Sequence, residues 1–193
     1  MPPNLAYKAE NLAMLRYDES TLIARLEALS VRARVAFAAA CAERLRAYFG
    51  YPDSPPTPRV LDGALEALES AIHRELPDPA LRAAVDACNA SLDVDDDAVA
   101  AAMYACRAQA SEGVQAAAWA ARRGYEARDR LVSETLGVDF NLEGAEQGVL
   151  AHPIVQAELQ HQADDLEILA ASGDQAPAVL ARARQAGITR ETA

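Results

Sequence analysis

Alanine is what most limits the folds open to this chain. It recurs in runs, Ala38-Ala39-Ala40 and Ala116-Ala117-Ala118 among them, while only 5% of residues are aromatic and β-branched residues are sparse. Alanine has the highest intrinsic helix propensity, and pleated sheet is built from the β-branched and aromatic side chains that are scarce here. With 51% hydrophobic residues in a chain of 193, there is apolar material for one continuous core several helices deep. The expectation is all-α: a single-domain bundle of about seven to eight helices whose small side chains let the axes approach closely.

Apolar spacing and punctuation place the elements. Residues 1–17 hold Leu5, Tyr7, Leu12 and Leu15 without a helical stripe and read as an N-terminal arm, 18–188 as the bundle, and 189–193 as a frayed tail. Cap residues from Asp18 to Thr21 precede Leu22, Ile23, Leu26 and Leu29. Ser30 can cap a second helix with Val31, Val35, Ala38, Ala42, Leu45 and Phe49 on one face, ended by Gly50. Pro52, Pro55, Pro56 and Pro58 then break the chain, and Thr57-Pro58 opens a third helix striped by Leu61, Leu65, Leu68 and Ile72 and stopped by Pro77. Asp78-Pro79 opens a fourth through Leu81, Val85 and Cys88. Asp93 to Asp97 suit the positive end of a fifth helix, and lack the glycine and distal glutamate of a calcium loop. From Val99 to Ala121 the pattern is one long helix, bending at Gly113 or breaking near Gly124 before 125–136. A linker over 137–148, a helix opened by Pro153 with Val155, Leu159, Gln162, Leu166 and Leu169, and a last helix over 176–186 ending at Gly187 complete the reading.

Charge narrows the partners. The chain has 29 acidic and 18 basic residues, a formal net charge of −11. That balance repels phosphate backbones and anionic bilayers, so neither nucleic acid nor membrane is expected, whereas a basic protein would be attracted. Cys41, Cys88 and Cys106 are odd in number and lack metal-ligand spacing, which reads as three small core residues. The N-terminus lacks an apolar leader segment, and no uncharged apolar run reaches about 18 residues, so the cytoplasm is the expected compartment. No phosphate-cradling glycine loop, nucleophile elbow or His-Glu-x-x-His pair is present, and no cofactor is expected.

Few residues carry chemistry. Glu158 and His161 lie three apart, as one half of a di-iron bundle site requires, but the other half is missing and Glu69 to His73 has the wrong spacing. By helical angle His161 falls off the apolar stripe and is expected to meet solvent, so the pair reads as an ordinary polar flank of the helix. Glu43 and Arg44 on the second helix and Asp86 on the fourth could pair across helices, as a packing ion pair or as a polar pocket with shifted pKa values. Trp119 lies off its helix's stripe; exposed, it would anchor an interface, although burial is the commoner fate of tryptophan.

Several of these pieces stand in a telling order: Phe37 followed by Glu43-Arg44, Val85-Asp86-Ala87-Cys88, His152-Pro153-Ile154-Val155 leading to Glu158 and Gln162, and Ala186-Gly187. In order and spacing the chain, from about 22 to 188, resembles the YjaG-like family of small helical bacterial proteins, a domain of unknown function. The resemblance implies an all-helical fold and supplies no reaction, cofactor or catalytic residue. Two departures, His152 where the family tends to have Asn and His161 at an apolar position, weaken the case for a shared metal site.

Two functional classes follow. One is a non-catalytic binding protein whose acidic helical surface takes a basic partner, as an immunity protein neutralises a toxin. The other is an enzyme or metal carrier with a site around Glu43, Asp86, Glu158 and His161. A homo-oligomer is compatible with either.

Overall fold

A computed structural model of the chain describes residues 14–49, 57–74, 79–91, 96–110 and 112–191. The arm up to residue 13, Gly50, Pro52, Pro55, Pro56, Pro77, Asp78, Asp93 to Asp95 and the last two residues of the tail lie outside them. Among the described residues there are nine α-helices and no strand: α1 (Glu19–Glu27), α2 (Val31–Phe49), α3 (Thr57–His73), α4 (Pro79–Ser91), α5 (Asp97–Arg107), α6 (Gly113–Leu136), α7 (Ala145–Leu150), α8 (Pro153–Ala171) and α9 (Ala176–Glu191). A single 3-10 turn, Gly173–Gln175, leads into α9. They form one all-α bundle, and none of the described helices is long and apolar enough to cross a membrane.

The local signals act where chemistry puts them. Asp18 accepts the Thr21 N–H at 3.1 Å, Ser30 the Ala33 N–H at 3.2 Å, and Asp96 the N–H groups of Ala98 and Val99, each satisfying a donor the first helical turn leaves free. His152 caps α8 by accepting the Ile154 N–H on Nδ1 at 3.3 Å, with Pro153 in the first turn. Nδ1 here plays the part that the side-chain oxygen of an asparagine would play.

Helix α2 is the axis. Every residue from Val35 to Leu45 is buried, and the helix packs against α3, α5, α6, α8 and α9. Its alanines allow this, because a helix surrounded on all sides needs small side chains toward most neighbours. A smaller apolar cluster, Val132, Val149, Val155 and Leu159, joins α6, α7 and α8 at one end. There the stacked rings of Tyr17 and Tyr125, 5.3 Å apart, and the mutual hydrogen bonds of Leu15 and Gln156 hold residues 15–17 against the bundle. Cys41, Cys88 and Cys106 are all buried, and burial pushes the Cys41 thiol up to about 12.

With nine helices among the described residues, the expected single-domain bundle is what forms, and the structure departs from the sequence reading in three places. The short α7 lies inside the expected linker, because Val149 docks it into the smaller cluster and a single apolar residue leaves no stripe to read. The long helix is two, α5 ending at Arg107 and α6 starting at Gly113, while α6 runs through Gly124 without interruption. Finally α9 continues through Gly187 to Glu191, since a glycine weakens a helix by about 1 kcal/mol and need not end it.

Gly113 makes the α5–α6 corner sterically specific. A Cβ there would collide with the Ala108 carbonyl oxygen, whereas one on Gly63, inside α3, would meet nothing within 4 Å. Gly113→Ala is therefore expected to cost about 2–3 kcal/mol, and Gly63→Ala to add about 0.5–1 kcal/mol, in urea denaturation.

Candidate functional site

Two charged residues sit near the C-terminal end of the buried stretch of α2, and the neighbouring helices are charged to match. Arg44 faces α8. Its Nε and Nη2 donate to Glu158 Oε2 and Oε1 at 3.0 and 3.1 Å, and its Nη1 donates to Asp165 Oδ2 at 2.6 Å. Arg128, from α6, reaches Glu158 Oε2 at 3.1 Å and donates to the Gly124 carbonyl at 2.8 Å. Gln162 donates to Glu158 Oε1 at 2.9 Å and to the Ala121 carbonyl at 3.0 Å. None of these five side-chain-bearing residues exposes more than 5% of its surface. Gly124 leaves the room: a Cβ there would stand 3.0 Å from Glu158 Oε1.

Glu43, one residue earlier, points elsewhere. It accepts from Arg184 of α9 at 2.8 Å and pairs with Arg46 at 3.3 Å; Arg184 forks onto Glu69 of α3, and Arg46 onto Asp62. Consecutive helical residues diverge by about 100°, so Glu43 and Arg44 serve separate clusters.

The candidate residues are thus distributed unevenly. Glu43, Arg44 and Glu158 are buried in ion-pair clusters, whereas Asp86 is exposed on α4 and is not brought to them. Glu158 is fully buried rather than part of an ordinary polar flank, and His161, expected to meet solvent, is half-buried. Trp119 is 37% exposed, with its ring tilted on Tyr104 at 5.3 Å. Sequence reasoning missed Arg128 and Asp165. A signal existed: Glu158, Gln162 and Asp165 recur at helical spacing beside Val155, Leu159, Leu166 and Leu169, which puts polar groups on a core face.

The two carboxylates sharing Arg44 are driven in opposite directions. Burial disfavours ionised Glu158, but Arg128 and Arg44 outweigh it and hold the carboxyl at about 2. For Asp165 burial wins and its pKa is raised. The reason is geometric: Asp165 Oδ1 lies 3.3 Å from Arg182, within ion-pair reach, yet makes no hydrogen bond. Burial and the nearby Arg44 lower His161. Both oxygens of Glu158 are each occupied by two donors, so no lone pair is left for a metal or substrate, and among the described residues no three His, Cys, Asp or Glu are grouped to hold a metal ion.

An open cleft of about 610 Å³ lies elsewhere, between α6, α7 and the intervening loop, with Tyr125, Asp129, Phe140, Leu142 and Glu146 on its walls and Arg16 at its edge. Burial raises the Asp129 pKa, and Glu126 and Glu146 add to the rise, against the 3.4 Å hydrogen bond from Tyr125.

No protein-family model matches the chain, and no curated protein matches it. Its fold is similar to the crystal structure of a DUF416 family protein from Shewanella baltica OS155, with a TM-score of 0.65 and 20% identity over 87% of this chain and 93% of that one. At that identity the likeness speaks of the fold alone.

Removing Arg44 strands two buried carboxylates, so Arg44→Met is expected to cost about 3–5 kcal/mol in urea denaturation at neutral pH. Glu158, depressed to about 2 from 4.5, stabilises the fold fully above pH 4.5 and loses that contribution as pH falls toward 2. Asp165, raised from 3.8, acts with the opposite sign and favours the fold less as pH rises through its folded value. Glu158→Gln should therefore flatten the stability loss between pH 4.5 and 2, and Asp165→Asn should cost less than Glu158→Gln at pH 7, both read by urea denaturation across a pH series.

Proposed function

We propose that the chain is a YjaG-like, non-catalytic binding module of the cytoplasm that captures a basic protein on an acidic helical surface, in the manner of an immunity protein. The observation that carries this reading is where the charge lies. Between Arg130 and Arg182 the chain has nine carboxylates and no lysine or arginine. Glu158 and Asp165 are consumed inside by arginines, and Asp164 pairs with Arg182. The other six, Glu134, Asp139, Glu143, Glu146, Glu167 and Asp174, are exposed, and among the described residues no arginine pairs with them. Such a field raises the encounter rate with a cation-rich surface and discourages anionic partners.

The rival reading, an enzyme or metal carrier at Glu158 and His161, has less support, because a ligand would have to displace two guanidinium groups and Gln162 from a fully buried carboxylate. Tagged protein used as bait in lysate of its native host, eluted by stepwise salt, is expected to release a basic protein at moderate ionic strength, where exposed charge pairs are screened. Recovery of bait alone, or of a partner indifferent to salt, would overturn the reading.

A further inference from the structure

We infer that the loop joining α6 to α7, with the cleft beside it, is a docking surface for a basic, amphipathic peptide segment of a partner protein. Its apolar side chain would rest on Phe140 and Leu142, and a flanking lysine or arginine would enter the cleft toward Asp129 and Glu146. The inference rests on the binding-module reading and says where and with what chemistry it acts.

Exposed apolar surface is concentrated here. Leu136, Phe140 and Leu142 expose 58%, 56% and 65% of their surface, and they are three of the five large apolar side chains exposed among the described residues. Scattered singly, such residues need no explanation, but these three fall within seven positions, and Phe140 and Leu142 share the wall of one cleft.

The patch is also held in place. Gly137, at φ 58°, ends α6 in the left-handed conformation, with the Val138 N–H on the Ser133 carbonyl at 3.0 Å, and Gly144, at φ 81°, turns the chain into α7. Between them the Asp139 carboxylate accepts both the backbone N–H and the side-chain amide of Asn141, at 2.9 and 2.7 Å, and the Leu142 N–H meets the Asp139 carbonyl at 3.0 Å. Successive turns fix the backbone with the apolar side chains facing water, so a ligand would pay little ordering cost.

Charge identifies the occupant. Glu134, Asp139, Glu143 and Glu146 lie in the same stretch of chain and are exposed, Asp129 and Glu146 line the cleft, and among the described residues no cation pairs with Asp129. Arg16 is the sole cation among the residues lining the cleft and leaves it net negative. The Tyr125 ring supplies an aromatic wall of the kind that favours a cation. A second copy would bring the same carboxylates face to face, and an anionic bilayer would be repelled.

The test is a titration of isotope-labelled full chain with a synthetic peptide of alternating leucine and arginine, followed by amide NMR shifts. Shifts confined to residues 125–150 are expected, with affinity falling about tenfold in Phe140→Ser/Leu142→Ser and again in Asp129→Asn/Glu146→Gln. These are surface positions, and an unchanged amide spectrum outside the loop confirms folding. Shifts spread over other helices, undiminished affinity in the variants, or equal binding of a serine-arginine peptide would overturn the proposal. So would binding to neutral phosphatidylcholine vesicles in place of the peptide, or a dimer in light scattering that Phe140→Ser dissolves. A lysate partner still captured by Phe140→Ser/Leu142→Ser would sink this surface and spare the binding reading, whereas no captured partner would sink that reading itself.

Discussion

Everything in this bundle is arranged around a guanidinium group that cannot reach water. Arg44 sits near the end of the fully buried stretch of α2, and its charge is tolerable only because α8 and α6 bring Glu158, Asp165, Arg128 and Gln162 to it. A buried ion pair contributes little net stability, since desolvation offsets most of the attraction. What it does here is set register. Alanine surfaces slide over one another with small changes in packing, and a forked Arg–carboxylate pair does not. Arg184, bridging Glu43 and Glu69, performs the same service for α9 and α3. Apolar packing brings the helices together and the two clusters decide how each is rotated.

The fold was largely legible in the sequence, because alanine runs, caps and proline or glycine punctuation act locally. Asp18, Ser30, Asp96 and Pro153 mark helix starts by chemistry confined to one turn. The misreadings came where tertiary contact decided. Gly124 reads as a breaker by propensity, yet its bare backbone is what lets a carboxylate pack against α6. Likewise α7 exists because Val149 finds a cluster made by two other helices, α6 and α8.

The polar interior was half legible. Glu43-Arg44 stood out as charges within an apolar face, but which partners they meet depends on helix crossings that no spacing rule encodes. Asp86 stood out in the sequence and is exposed, whereas Asp165 did not and is buried. The surface was less legible still: Phe140 and Leu142 lie in a segment without periodicity, and only the fold shows that they are left uncovered. Interior charges are thus neutralised almost completely, whereas six exposed carboxylates between Arg130 and Arg182 have, among the described residues, no arginine beside them.

The contact of Gly124 with Glu158 has an evolutionary corollary. With 3.0 Å between the Glu158 oxygen and the position a Cβ would take, the two sites cannot drift independently. A lineage that acquires a side chain at 124 must shorten or retract the acid at 158, and with it the anchor of Arg44 and Arg128. In distant sequences sharing this fold, these positions should therefore change as a linked set, a signature visible in aligned homologues long after overall identity has faded.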